Sequence, residues 1–198
     1  MSLLTRSADL VYTFRFLRLL TTDWKDMKAY ELGIIDADGK RIKDKKLTTS
    51  EEKSAYNAFH RIVFSLKRLL NKAPGGRSRI ASYAAALFML KEETGMSEKG
   101  IESLLEHIGI TVFDLVESSS QWYLIEDEKG PMLQPGIYRL RDEKLINASY
   151  EPLAFENDKV RAFTECRPVG KMFGIDIYEV RHSNTNQSVY VTAGDLIK

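Results

Sequence analysis

The spacing of apolar residues predicts an α+β fold in two parts. Residues 1–118 read as a mainly helical domain with a small β-hairpin near 30–42. Residues 119–198 read as a small all-β domain, a barrel or sandwich with an SH3-like layout. Three observations carry this. From Leu10 to Ile108 apolar residues recur at intervals of three and four, which places them on single helix faces. After Ser118-Ser119-Ser120 the period changes to alternation, the mark of half-buried strands. The end of the chain, from Lys171 to Leu196, reads as strand, polar turn, short strand and one closing helical turn, which suits a small barrel. Such barrels serve as peptide binders, nucleic-acid binders and plain structural domains, so the layout alone implies no function.

Taken in order, Leu10, Val11, Phe14, Leu17 and Leu20 predict a first helix capped by Ser7, with its apolar stripe toward the core and Arg15 and Arg18 on the other face. Trp24 follows in a polar turn. The stretch YELGIIDADGKRI (30–42) predicts a hairpin turning at Asp38-Gly39. A calcium loop is rejected there, because Lys40 and Arg41 stand where the pattern needs Asp or Asn and then glycine. Lys43, Lys45 and Lys46 form a basic loop. Thr49 and Glu52 then match a capping box, and Tyr56, Phe59, Val63, Leu66 and Leu70, widened by Ile62 and Leu69, predict one long core-facing helix. His60 lies beside that stripe without a metal-ligand partner one turn on.

Pro74-Gly75-Gly76 ends this helix and Ser78 caps the next, from about 79 to 93, whose small residues Ser82 to Ala86 predict close packing and a central position. The glycines lack the spacing of a phosphate-binding loop. Gly95 stops that helix and Ser97 starts another, with Ile101, Leu104, Leu105 and Ile108 as its apolar side. Gly109 breaks it, and Thr111 opens a short turn from Val112 to Glu117. The pair has the cadence of a helix-turn-helix. Its second helix carries Asp114 and Glu117 and no Arg, Lys, Asn or Gln, so it would be repelled by phosphate.

In the β part, Gln121 to Glu126 reads as a strand before a turn at Lys129-Gly130-Pro131. Gly136 to Leu140 and Leu145 to Ser149 read as a hairpin around residues 141–144, and Val160 to Arg167 as a strand broken by Pro168-Val169-Gly170. From Ile175 to Val180 apolar residues occupy both alternating faces, which predicts a strand partly buried on each side. Ser183 to Gln187 turns the chain, Val189 to Thr192 returns, and Ala193 to Leu196 forms the helical turn.

Composition narrows the function. The 198 residues are 43% apolar and 29% charged, the balance of an ordinary folded globule, and the net charge of +1 supplies no field to draw in nucleic acid or membrane. Arg6 and Asp9 interrupt the apolar start, which argues against a signal peptide, and no apolar run approaches a bilayer span. A soluble protein is expected. Cys166 is the single cysteine, so an internal disulfide and a cysteine-based zinc site are excluded, and its strand setting predicts a buried, inert thiol. His60, His107 and His182 are scattered, and the signatures of serine hydrolases, dinucleotide enzymes and P-loop proteins are missing. The sequence assigns no catalytic, cofactor-binding or metal residue and no small-molecule substrate, and the expectation is a non-enzyme.

Charge is unevenly distributed. From Ser50 to Lys91 the bases Lys53, Arg61, Lys67, Arg68, Lys72, Arg77, Arg79 and Lys91 face only Glu51 and Glu52. From Glu92 to Gly130 ten acids face only Lys99 and Lys129. Arg61, Arg68 and Lys72 share a helical face and, with Arg77 and Arg79, make a candidate surface for nucleic acid or an acidic partner. The competing reading is that the basic and acidic regions complement one another within the fold or between copies.

Three stretches, SLLTRSADLVYTFRFLRLLTT, SRIASYAAALFMLKE and GIDIYEVRHSNTNQSVYVT, resemble a family encoded by large tailed bacteriophages of the myovirus type. The resemblance covers nearly the whole chain. It implies a phage origin and, with no enzyme signature present, a structural or assembly protein contacting other phage structural proteins in an oligomeric assembly. No functional residue carries over. The alternative is a nucleic-acid-associated accessory protein of phage replication or transcription.

Overall fold

The computed structural model describes residues 3–72, 81–110 and 124–198, and the fold is α+β. The helices among them are α1 (Leu3–Thr21), α2 (Lys28–Glu31), α3 (Ser50–Ala55), α4 (Ala58–Asn71), α5 (Ala81–Thr94) and α6 (Glu98–His107). The strands are β1 (Leu124–Asp127), β2 (Gly130–Leu133), β3 (Gly136–Leu140), β4 (Lys159–Ala162), β5 (Pro168–Met172), β6 (Ile175–His182), β7 (Ser188–Val191) and β8 (Leu196–Ile197). The expected Ser118–Ser120 boundary, the Ser78 cap and the Thr111–Glu117 turn lie outside the described residues.

Local chemistry accounts for the helix ends. The Thr49 hydroxyl accepts from the Glu52 backbone N–H and the Glu52 carboxylate accepts from the Thr49 N–H, so the expected capping box is formed. Ser97 caps α6 by accepting from Gly100 at 3.0 Å. The single long helix expected after Thr49 is instead two. Tyr56 leaves the helical region, and Asn57 begins a new helix by accepting from the His60 N–H at 3.1 Å. A second strong cap has interrupted an unbroken apolar pattern. Likewise α1 begins at Leu3, upstream of the cap expected at Ser7.

The hairpin near 30–42 is reduced to one antiparallel bridge, Ile35 to Arg41. Tyr30 and Glu31 belong to α2, and Met27, Ala29, Ile34 and Ile35 bury themselves in a small core with Tyr56 and Phe64. The Asp36 carboxylate accepts from the N–H groups of Asp38 and Lys40, and these side-chain bonds reinforce the backbone bonds from the Asp36 N–H to the Lys40 carbonyl and from the Ile42 N–H to the Ile34 carbonyl. Gly39 is needed at its tip. Its φ is +75°, and a Cβ there would lie 2.6 Å from the Trp24 ring.

The β part is antiparallel throughout. β1 and β2 form a small ribbon, and the larger sheet runs β5-β6-β4-β3-β8, with β7 on the other side of β6. It is not a closed barrel. Two local expectations are corrected. The 136–149 hairpin is absent: β3 pairs with β4 and β8, while Lys144 bridges to Ala154 and Ile146 to Val189. Pro168-Val169-Gly170, expected to break a strand, begins β5, because Pro168 opens the strand where a missing N–H is tolerated and a bulge follows. The long terminal strand, its turn, the returning strand and the 3₁₀ turn Ala193–Asp195 are all present.

Strand β6 is buried on both faces at Ile177 and Tyr178, while Glu179 and Arg181 farther along are exposed, and this explains the packing. Ile177 enters a core shared with Phe59, Ile62, Val63, Leu66, Leu87 and Ile101, whereas Tyr178 and Val180 enter a second core inside the sheet with Tyr138, Val160 and Val191. Helix α5 lies between α4 and the sheet, and Tyr83 to Leu90 are all buried. Its Phe88 ring comes so close to β5 that a Cβ on Gly170 would meet it at 2.6 Å. The missing side chain of Gly170 permits that approach.

Candidate functional site

Where α4 meets the β part, three segments enclose a cleft of about 690 Å³. The turn after Ile35 supplies Lys40, Arg41 and Lys43. The end of α4 supplies Arg68 and Lys72. The segment between β3 and β4 supplies Glu143, Glu151, Pro152, Leu153, Phe155 and Glu156. Its volume falls within the usual range for ligand clefts, roughly 300–1,000 Å³.

Arg68 forms the back wall. Its guanidinium is buried, bonds Glu143 through Nη2 at 2.6 Å and Nε at 3.2 Å, and donates from Nη1 to the Gly39 carbonyl at 2.6 Å. One side chain thus ties α4 to both other walls. Seven residues earlier, Arg61 donates to the Ser149 carbonyl at 2.6 Å and the Tyr56 carbonyl at 3.1 Å, and faces Glu151 at 3.4 Å. Its guanidinium also covers the Tyr56 ring, and burial pushes the Tyr56 hydroxyl up to a pKa of about 12. These two arginines of the sequence-predicted surface are engaged inside the fold, by Glu151 and Glu143 of the β part and not by the acidic region 92–130. Lys72, at the end of α4, is exposed on the rim of the cleft. Arg77 and Arg79 lie outside the described residues.

The remaining rim cations come from a loop that composition alone presents as solvated surface. Arg41 donates to the carbonyls of Ile34, Ile42 and Lys45 and lies 5.3 Å from the Tyr56 ring, so it braces the turn. Lys43 Nζ stands 5.4 Å over the Phe155 ring. Lys45 is drawn away to Glu52 at 2.6 Å, and that hydrogen bond, followed by the Thr49 and Thr48 N–H groups, lowers the Glu52 pKa. Leu153 and Phe155 remain 40% and 39% exposed on the apolar floor. The signals of this site in the sequence are the bases Arg68 and Lys72 and the density of bases in residues 40–46, since the acids and apolar residues opposite them lie far along the chain, at 143–156.

A hydrogen-bonded trio supports that floor from behind. Buried His182 meets Thr185 Oγ1 through Nδ1 at 2.9 Å and Asp158 Oδ2 through Nε2 at 3.1 Å. The same Asp158 oxygen accepts from the Phe155 N–H at 2.8 Å. The residue types are those of a hydroxyl-imidazole-carboxylate relay, yet the imidazole is buried and the chain turns tightly around it. Its effect is to staple the β6–β7 turn to residues 155–158 and so to fix Phe155 in place.

Cys166 is buried, and burial, followed by the Glu179 charge, raises its thiol to about 11, which leaves little thiolate at neutral pH. Among the described residues no group of His, Cys, Asp and Glu could hold a metal ion, and no helix is long and apolar enough to cross a membrane.

A second surface feature belongs to α1. Leu10, Val11 and Phe14 are 71%, 56% and 71% exposed, whereas Phe16 is buried in the shared core. The stripe expected to face inward therefore faces out over its first half. Asp9 explains the orientation: its carboxylate accepts from the Ser97 N–H at 3.1 Å and hydroxyl at 2.7 Å, fastening α1 to the start of α6. No protein-family model, curated protein or solved structure matches the chain.

Proposed function

We propose that the protein is a structural or assembly protein of a large tailed bacteriophage, acting by contact with neighbouring protein subunits. The observation that carries this reading is the outward stripe of Leu10, Val11 and Phe14 on α1. Single exposed apolar residues are ordinary, but three large ones on consecutive turns of one helix favour a surface that another chain covers. The resemblance of three separated stretches to a phage family points the same way. The finer description of the β part as an SH3-like module is supported by the 3₁₀ turn between β7 and β8, and such a module would suit protein contact.

The test is location. Mass spectrometry of purified particles and of assembly intermediates should detect the protein. Leu10→Glu with Phe14→Glu should leave the chain folded and remove it from those fractions. Absence of the native protein from particles and intermediates alike would overturn the reading.

A further inference from the structure

We infer that the cleft between α4 and the β part binds a short acidic segment of a partner protein, anchored by one apolar side chain. The inference deepens the assembly reading and rests on it for the partner being a protein. The cleft is lined by five bases and three acids, and two of the acids are already matched, Glu143 by Arg68 and Glu151 by Arg61. Lys40, Lys43 and Lys72 have no acidic partner among the described residues, and all three are exposed at the rim. Between them lie Leu153 and Phe155, apolar and only partly covered.

That pattern selects the ligand. Carboxylates spaced along a peptide can meet separate lysines on the rim while an aliphatic or aromatic side chain covers the floor, combining charge complementarity with a desolvated anchor. An inorganic anion would leave the floor bare. A single nucleic-acid strand needs a stacking face and a continuous basic track. Here Glu143, Glu151 and Glu156 line the same cleft and interrupt the track. The cleft is also preformed. Arg68 locks α4 to Gly39 and Glu143, and the His182–Asp158 staple holds the Phe155 backbone, so little ordering is needed on binding.

The experiment selects binders to the full chain from a displayed random library of short peptides. One enriched peptide is then synthesised and its affinity measured by fluorescence anisotropy. Enriched sequences should carry several Asp or Glu residues around a Leu, Met or aromatic residue, and binding should weaken with salt. The variant Lys40→Glu/Lys43→Glu/Lys72→Glu changes only exposed side chains, and its fold is checked by circular dichroism. It should bind at least about tenfold more weakly, and Leu153→Ser should weaken binding separately.

Failure to enrich any peptide would overturn the inference. So would enrichment of neutral or basic peptides, or affinity unchanged in the triple variant. Binding of a short oligo-dT through the same lysines, with no acidic peptide bound, would overturn it in favour of nucleic acid. Particle location separates the two proposals. A native protein that enters particles but selects no acidic peptide defeats the cleft inference alone, whereas one that selects such peptides but is missing from particles and intermediates defeats only the assembly reading.

Discussion

Helices α1 and α4 lie against one another, yet they relate to their sequences in opposite ways. In α4 Phe59, Ile62, Val63, Leu66 and Leu69 share one side and are buried as their spacing requires, while Phe64, Lys67 and Arg68 on the other side are buried against different neighbours. In α1 apolar residues occur on every side, so the period identifies a helix but leaves its rotation about its axis undecided. Phe14 and Phe16 are two residues apart, on nearly opposite faces, and either could serve as core. Tertiary bonds decide: Asp9 to Ser97 at one end, and at the other Lys67 of α4, whose ammonium donates to the carbonyls of Leu19 and Thr22. An amphipathic helix carries its own orientation. A uniformly apolar one receives it from its neighbours, and what remains outside becomes available for binding.

The sharpest way to break this comparison is to truncate the side chain that the neighbours chose. Phe16→Ala removes a buried ring from the shared core and should cost about 3–5 kcal/mol, read as a lower urea midpoint with an unchanged slope. An effect no larger than that of truncating Phe14 would mean that α1 is rotated the other way.

Next in size is the joint at the back of the cleft. Arg68→Ala leaves the Glu143 carboxylate partly buried without its partner and the Gly39 carbonyl without a donor, and should cost about 2–4 kcal/mol. Arg68→Met keeps much of the packing, so it should fall between native and alanine unless the ion pair contributes nothing. If both variants match the native protein, the arginine is not the tie that its geometry implies.

A smaller effect reports on the α1–α4 contact itself. His60 is half-buried on α4 with Arg15 of α1 nearby; burial first, and then that positive charge, lower its pKa from 6.5 to about 4. Its Nδ1 lies 2.8 Å from Asn57 Oδ1. The unfolded chain therefore takes up a proton that the folded chain refuses. Stability from this residue is complete above about pH 6.5 and is lost as the pH falls toward about 4, a loss on the order of 1 kcal/mol after allowance for solvent. His60→Gln should flatten the stability profile over that interval. A profile equally steep in the variant would show that His60 is not sheltered as described.

The same contrast sets how much was legible beforehand. Residues that solve local problems were readable: the Thr49–Glu52 box, the Ser97 cap, and the two-sided burial of β6 from Ile177 and Tyr178. Strand partners were not. Gly136 to Leu140 has the pattern of a hairpin arm, but its partners β4 and β8 depend on chain closure over twenty to sixty residues, which alternation does not encode. The candidate site was half legible. The bases of α4 stand out as a charge cluster, but Glu143 and Glu151 oppose them only after folding, and that turns Arg61 and Arg68 from an outward surface into internal ties. Lys40 and Lys43 read as solvated loop until folding brings Leu153 and Phe155 alongside.

The smallest effect on stability tests the other half of the comparison. Phe14→Ser replaces a ring already 71% exposed, so little surface returns to water on unfolding and stability should change by no more than about 0.5 kcal/mol. Solubility should rise, since an apolar patch has been interrupted. If α1's outer stripe is a subunit contact, the same substitution should reduce recovery of the protein in particles or assembly intermediates, although the isolated chain unfolds as before. A helix face whose removal leaves the fold intact but loses the assembly has been kept apolar for its partner. A stability loss comparable to that of Phe16→Ala would instead place Phe14 in the core, and the division of α1 into an inner and an outer face would fail.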